Sequence, residues 1–376
     1  MSFESHYSRK TRYHKFAKPL ELDLGGTLPE FRVAYRTWGS LNKSGDNAIM
    51  ICHALTGSAD AYTWWRPLFG QGRTFDPTKY FIICSNVLGS CYGTTGPTSI
   101  NPMTGRAYGP DFPLITVRDM VKAQYELSKV FGIQKFKMVV GGSLGGMQVL
   151  EWAAMYPEMV EAFVPIATTG RHSAWCIGLS ECQRQSIYAD PNWQNGYYRQ
   201  DQSPKAGLAA ARMLAMCTYR SRASLEARFS RTVKADSQFN IQSYLQYQGE
   251  KLVERFDANT YVTLTKAMDQ QDIARGRGEF YDVLGQIKQS ALVVAINSDV
   301  LYPQEEQEEL ARFMPNARLD YLYSPHGHDA FLIEMEALDR KIIAFRNAIE
   351  SIAKAPSSGG FSNDGQIVRL SVYQGD

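Results

Sequence analysis

The sequence lacks the features of a membrane-spanning, secreted or metal-binding protein. No apolar segment approaches the ~20 residues that a membrane-spanning helix needs, and the N-terminus has no apolar core of a secretory signal. Its 6 cysteines show no Cys-x-x-Cys spacing, and no metal-ligand cluster is apparent. The net charge is only +2, which is too small for a nucleic-acid-binding surface. We therefore expect a cytoplasmic protein that binds neither nucleic acid nor membrane, and that holds no metal.

Short apolar strands alternate with amphipathic helices in both halves of the chain, which predicts a mostly parallel sheet covered by helices on both faces. The candidate strands begin at Phe31, and the basic residues before it are expected to form a solvated end. The middle of the chain is rich in helix formers instead. An insertion at this point is typical of a lid over an active site, and a separate helical domain is the alternative. We predict a core of residues 1–171 and 289–355, a helical lid insertion at 172–288 and a tail at 356–376.

The most informative segment is an apolar strand followed by a glycine turn and a helix. Gly141, Ser143 and Gly145 fit G-x-S-x-G, the nucleophile elbow of α/β-hydrolases. Glycines are needed there because a Cβ in so sharp a bend would collide with its neighbours. A bare match also occurs by chance, and a glycine turn before a helix can hold phosphate. The segment, however, spells neither of the common phosphate-binding motifs.

A serine nucleophile needs a base and an orienting acid, which follow it along the chain as acid and then histidine in α/β-hydrolases. Only His326 and His328 lie well beyond the elbow, and a solvent-facing loop position is the alternative for either. We select His328 because Gly327 lets the chain turn before it. Asp299 follows a buried apolar strand, where open α/β sheets place their sites, although it could instead cap the next helix. The predicted triad is Ser143, Asp299 and His328.

Several blocks of the sequence are more specific than the elbow alone. They are His53–Ser58, Asn86–Pro97, Asp111–Asp119, Gly141–Gln148, Ser298–Pro303 and Gly327–Leu332. Through these blocks the chain resembles the homoserine O-acetyltransferase family, α/β-hydrolase-type acyltransferases of methionine biosynthesis. The resemblance also crosses the helical insertion. It implies an α/β-hydrolase fold with the triad chosen above, acetyl-CoA as co-substrate, no other cofactor, and a homodimer formed through the lid helices.

The resemblance also implies roles for residues outside the triad. The backbone N–H groups of Leu55 and Leu144 would form the oxyanion hole, and His53 would shape the loop that carries the first of them. Arg212 would bind the carboxylate of homoserine, and Asp329 its ammonium group. An arginine among apolar helix neighbours is costly unless it meets an anion, although a lone surface arginine is the alternative.

The implied reaction is two-step acyl transfer from acetyl-CoA to the homoserine hydroxyl through an acyl-serine. Three rivals stay open. The first keeps the chemistry but uses succinyl-CoA as donor or serine as acceptor. The second is a plain esterase, against which Arg212 and Asp329 argue because a neutral ester needs no zwitterion clamp. The third is a non-catalytic binding scaffold, against which the complete triad argues.

Overall fold

An eight-stranded sheet and a separate two-stranded pair organise the fold, which the computed structural model describes for residues 11–235 and 237–354. The strands are β1 (Arg12–Phe16), β2 (Leu20–Glu21), β3 (Thr27–Leu28), β4 (Phe31–Trp38), β5 (Ala48–Cys52), β6 (Phe81–Ser85), β7 (Phe136–Gly142), β8 (Ala162–Ile166), β9 (Ser290–Ile296) and β10 (Ala317–Leu322). The large sheet has the order β1-β4-β6-β5-β7-β8-β9-β10, and β2 pairs with β3.

The predicted mostly parallel sheet is confirmed. All neighbouring pairs from β6 across to β10 are parallel, whereas β1 and β4 add an antiparallel edge. The central strands read as continuous apolar runs because helices cover both faces of a parallel sheet. Parallel strands also place all their carboxyl ends at one edge, so the loops that follow β5, β7, β9 and β10 meet there.

Helices cover the sheet and form the insertion. They are α1 (Ala61–Trp64), α2 (Val117–Phe131), α3 (Leu144–Met155), α4 (Ala174–Tyr188), α5 (Lys205–Tyr219), α6 (Arg222–Phe229), α7 (Asn240–Val253), α8 (Ala258–Asp269), α9 (Phe280–Gln286), α10 (Gln304–Phe313) and α11 (Met335–Lys354). The side chains of β5 alternate between two apolar clusters, with Met50 and Cys52 in one and Ile49 and Ile51 in the other. This alternation follows from the two-residue period of a strand and gives the fold a core on each face of the sheet.

Residues 172–288 hold helices α4 to α9, and the described residues of this range contribute no strand to the large sheet. Helix α5 packs between α4 and α7 and also contacts the turn Gly327–Leu332. Among the described residues, no helix is both long and apolar enough to cross a membrane.

The N-terminal segment corrects one expectation. Residues Arg12–Phe16 do not form a solvated end, because they pair along β4 in antiparallel register from Arg12 opposite Tyr35 to Phe16 opposite Phe31. Phe16 is buried and its ring stacks on Phe31 at 4.5 Å between centroids. The predicted tail at 356–376 lies outside the described residues.

Candidate active site

Ser143 occupies the sharp turn between β7 and α3. Its backbone angles, φ 58° and ψ −126°, are strained for a residue with a side chain, and such strain is common at functional sites. The turn is held on both sides, because the Ser143 N–H donates to the Ile166 carbonyl at 2.9 Å and the Ser143 carbonyl accepts from the Thr168 hydroxyl at 2.9 Å. The serine therefore stands at the carboxyl edge of the sheet in the geometry of a nucleophile elbow.

The glycines of the motif are required by a close approach between the elbow and the end of β5. A Cβ on Gly145 would lie 2.2 Å from the Cys52 carbonyl oxygen, and a Cβ on Gly141 would lie 2.6 Å from the same atom. Neither position has room for a side chain. The contact also places the elbow directly against the loop that follows β5.

The loops after β9 and β10 bring Asp299 and His328 together. Nδ1 of His328 lies 2.6 Å from Oδ2 of Asp299, so this nitrogen carries the proton and Nε2 is left to accept one. The other oxygen of Asp299 accepts from the N–H groups of Leu301 and Tyr302 at 2.8 and 3.0 Å. His326 is placed differently, because its Nδ1 lies 3.2 Å from the guanidinium of Arg220. The structure thus pairs His328, and not His326, with the acid.

The electrostatic surroundings of His328 favour its charged form. Burial of the imidazole lowers its pKa, but the charge and hydrogen bond of Asp299, with a further contribution from Asp329, outweigh burial and leave the pKa above its ordinary value. A raised pKa makes the neutral imidazole a stronger base. The two carboxylates therefore also stabilise the imidazolium that forms when the base takes a proton.

The turn that carries His328 lies against the elbow that carries Ser143. Phe331 packs closely on Gly142, because a Cβ added to Gly142 would lie 2.7 Å from the Phe331 ring. The turn Gly327–Leu332, which carries His328, therefore contacts the elbow. In the part of the chain that the structure describes, no hydrogen bond joins the Ser143 hydroxyl to His328. Such bonds are often long in unliganded enzymes and shorten when substrate binds.

Three aromatic rings surround the His328 imidazole, and sequence reasoning did not identify them. The ring centroids of Tyr219, Tyr302 and Phe331 lie 5.7, 5.3 and 5.6 Å from it. The Tyr302 hydroxyl lies 3.2 Å from Nε2 of His172, at the start of the insertion. Packing on several sides restricts the orientation of the imidazole. Tyr302 and Phe331 each lie three residues after a predicted triad member, and this spacing was an available signal.

Leu55 and Leu144, the predicted oxyanion donors, lie after β5 and at the first position of α3. Among the described residues, neither N–H donates to a backbone carbonyl. His53 braces the loop of Leu55, because its Nε2 accepts from the Val87 N–H at 3.0 Å and its Nδ1 lies 2.8 Å from the Ala54 carbonyl. Burial lowers the pKa of His53 to about 4, so the ring is neutral and suited to this bracing role.

Arg212 and Asp329, the predicted substrate-binding residues, lie near His328. The guanidinium of Arg212 lies over the Tyr219 ring at 5.3 Å from its centroid. Burial raises the pKa of Asp329, and the opposing charges of His328, Arg212 and Arg220 only partly offset this effect. Arg212 and His328 therefore both lie close enough to Asp329 to interact with it electrostatically. Arg220 is a second nearby cation that sequence reasoning missed.

A cavity of about 430 Å³ lies beside the elbow, and Arg212 is the predicted site residue in its lining. Its lining includes Ala54 and Thr56 from the loop after β5, Gly142 beside Ser143, and Arg212 and Arg255 from the insertion. Two larger cavities of about 790 and 1260 Å³ contain none of the predicted site residues. In the described part of the chain, no three metal-ligating side chains cluster together.

The sequence and the fold are similar to those of known proteins. A family model described as the alpha/beta hydrolase fold matches residues 47–334. Homoserine O-acetyltransferase from Chloroherpeton thalassium is 64% identical over 373 residues, which cover 99% of this chain and 97% of that protein. The crystal structure of homoserine O-acetyltransferase from Bacillus anthracis aligns with a TM-score of 0.83 at 28% identity, over 90% of this chain and 98% of that one. Esterase E22 aligns equally well, with a TM-score of 0.83 at 28% identity over 89% and 99% of the two chains.

Proposed function

Because the chain belongs to the homoserine O-acetyltransferase family of α/β-hydrolase-fold enzymes, we propose that it transfers an acetyl group from acetyl-CoA to the side-chain hydroxyl of L-homoserine. The products are O-acetyl-L-homoserine and CoA, formed in methionine biosynthesis. The observation that carries the proposal is the pair of opposite charges, Arg212 and Asp329, beside His328. A zwitterionic amino acid presents one carboxylate and one ammonium group, and these two side chains match them.

The first half-reaction forms an acyl-enzyme. Nε2 of His328 takes the proton of the Ser143 hydroxyl while Asp299 holds the other ring nitrogen, Nδ1, of the imidazole. The serine oxygen attacks the thioester carbonyl, and the resulting oxyanion is held by the N–H groups of Leu55 and Leu144. The carbon–sulfur bond then breaks, CoA leaves with the proton from His328, and an acetyl-serine remains. Each oxyanion donor supplies about 3 kcal/mol of transition-state stabilisation.

The second half-reaction repeats this chemistry with the acceptor. Arg212 and Asp329 hold the carboxylate and ammonium of homoserine, which directs its side-chain hydroxyl toward the acetyl-serine. His328 takes the hydroxyl proton, the homoserine oxygen attacks the ester carbonyl, and the proton returns to Ser143 as the new ester departs. The helical insertion acts as a lid in this proposal, because water reaching the acyl-enzyme would hydrolyse it.

The proposal is tested by combining each of two acyl donors with each of several acceptors. The protein is mixed with acetyl-CoA or succinyl-CoA, and the mass added to the Ser143 peptide is measured. Homoserine, serine or buffer is then added, and the loss of that mass is followed with the appearance of the ester. We expect acetyl transfer and rapid discharge by homoserine only. Faster labelling by succinyl-CoA would make it the donor, and faster discharge by serine would make serine the acceptor.

An esterase is the second candidate, because the likeness to esterase E22 equals that to a homoserine O-acetyltransferase structure in TM-score and identity. The charged pair separates the two functions. An esterase discharges its acyl-serine to water at a rate that neither homoserine nor an Arg212→Ala substitution changes. A transferase discharges to homoserine faster than to water, and loses this advantage in the same variant.

We further propose that the protein is a cytoplasmic homodimer. Cys52, Cys84 and Cys176 are buried free thiols, which suits a reducing compartment. Helices α4 and α5 expose the large apolar side chains Trp175, Ile177 and Leu214, and an apolar surface of this kind favours association. Light scattering at known concentration measures the assembly, and a monomer at micromolar concentration would contradict the dimer.

A further inference from the structure

The loop that carries Leu55 is held from two directions. We call residues 54–57 the oxyanion loop. On the core side, His53 and the Gly57 N–H both contact the Ala54 carbonyl, at 2.8 and 2.9 Å. On the opposite side the loop meets the insertion, where Arg255 donates to the Thr56 carbonyl at 2.8 Å and reaches the Thr56 hydroxyl at 3.4 Å. The loop thus depends on a residue that lies 199 positions along the chain.

Arg255 occupies the short connection between α7 and α8, and its guanidinium also donates to the hydroxyl of Tyr92. In the described part of the chain, its side-chain hydrogen bonds all end on neutral oxygens. A guanidinium offers donors in a fixed planar fork, so it holds two partners at a defined separation. This geometry indicates a residue that fixes positions, with a positive charge kept close to the oxyanion loop.

The second anchor of the fork, Tyr92, is itself held firmly. It is only 7% exposed. The Tyr92 carbonyl accepts from the side-chain NH₂ of Asn86, and the side-chain oxygen of Asn86 in turn accepts from the Ala59 N–H at 2.6 Å. Phe256, beside Arg255, packs its ring on Tyr92 at 5.7 Å between centroids. Arg255 therefore joins a rigid core segment to the oxyanion loop, and it does so from the insertion.

We propose that Arg255 is a positioning residue of the oxyanion hole, which holds the Thr56 carbonyl and thereby keeps the Leu55 N–H directed at the reacting carbonyl. The inference rests on the acyl-enzyme mechanism proposed above. It makes docking of the insertion on the oxyanion loop a condition for catalysis. If the insertion moves away from the core, the Leu55 N–H is no longer held in place as an oxyanion donor. The acyl-enzyme is then neither formed nor discharged efficiently.

The position of Arg255 predicts a specific kinetic pattern. Both half-reactions pass through a tetrahedral oxyanion, so a displaced Leu55 N–H slows both by a similar factor. Arg212, which is proposed to bind only the acceptor, affects only the second half-reaction. A residue that binds CoA affects only the first. Comparing the two half-reactions in one variant therefore separates positioning of the oxyanion loop from contact with either substrate.

The experiment measures acetylation of Ser143 by acetyl-CoA and its discharge by homoserine in separate rapid-quench runs. Arg255→Ala is expected to slow both steps about 10- to 100-fold, a part of the effect of losing an oxyanion donor outright. Arg255→Lys keeps one donor to the Thr56 carbonyl and is expected to recover part of each rate. Added guanidinium ion is expected to raise both rates of the alanine variant, since the adjoining cavity admits it. Arg222→Met, an exposed arginine of the same insertion, is the matched control and should match the parent protein.

Thermal unfolding of each variant separates loss of function from loss of fold. If Arg255→Ala does not fold, Tyr92→Phe keeps the ring, removes one anchor of the fork, and is expected to slow both steps by a similar factor. Unchanged rates in the folded variants, or a loss confined to one half-reaction, overturn the inference. Failure of the parent protein to acetylate Ser143 refutes the proposed function instead, so the two failures are distinguishable.

Discussion

The substitution Gly145→Ala tests how closely the elbow is fitted to the rest of the site. Its Cβ would lie 2.2 Å from the Cys52 carbonyl oxygen and 2.9 Å from the carbonyl carbon. An ordinary contact needs about 3.4 Å, so the elbow and the end of β5 must separate by about 1 Å, with a stability cost of about 1–3 kcal/mol. The displaced backbones carry Ser143 and, two residues after His53, Leu55. A misplacement of about 1 Å between catalytic groups costs about 10²-fold in rate.

Two measurements on this variant check the calculation. Denaturant unfolding reports the change in stability, and rapid-quench acetylation by acetyl-CoA reports the change in rate. Gly285→Ala is the matched control, because Gly285 lies in α9 and a Cβ there would meet nothing within 4 Å. Alanine in a helix is more stable than glycine by up to about 1 kcal/mol, so the control should be as active as the parent and at least as stable. A Gly145→Ala protein with full stability and full rate would refute the close approach.

Three further predictions concern groups around the elbow. Asp329→Asn removes a charge that raises the pKa of His328; because the base acts when deprotonated, the acid limb of the acetylation rate should move to lower pH, and an unmoved limb would contradict this coupling. Thr168→Val removes the 2.9 Å hydrogen bond to the Ser143 carbonyl and should lower unfolding free energy by about 1 kcal/mol, whereas unchanged denaturation would show the bond to be dispensable. Arg212→Ala should leave acetylation by acetyl-CoA unchanged but slow discharge by homoserine about 10²-fold, as loss of a charge-assisted contact does; equal losses in both steps would assign this arginine elsewhere.

Much of the sheet was predictable because its signals are local. Helix α2 carries local signals at both ends, because the Thr116 N–H donates to the Asp119 carboxylate at 2.9 Å at its start and Gly132 takes a left-handed conformation at its end. The parallel strands are continuous apolar runs that only a doubly covered sheet can bury. The positions of Ser143 and Asp299 at strand ends follow from the same pattern.

The parts that escaped prediction depend on contacts between distant segments. Strand β1 has mostly exposed side chains, so its composition resembles a solvated end, and only its pairing with β4 defines it. Tyr219 and Arg255 lie in the helical insertion, where no local motif tells which side chains turn toward the elbow. Their roles come from contacts with residues more than 100 positions away. Such contacts are tertiary, and helix periodicity carries no record of them.

The most direct test of the account is the rate at which acetyl-CoA acetylates Ser143 in the parent protein and in Asp299→Asn. The carboxylate lies 2.6 Å from Nδ1 of His328, and an asparagine there no longer selects the tautomer whose Nε2 can accept the serine proton. We predict that the label appears on Ser143 alone and that the substitution slows its appearance by about 10⁴-fold, the loss expected when a triad loses its acid. Label on another residue, or an asparagine variant as fast as the parent, would contradict the central claim.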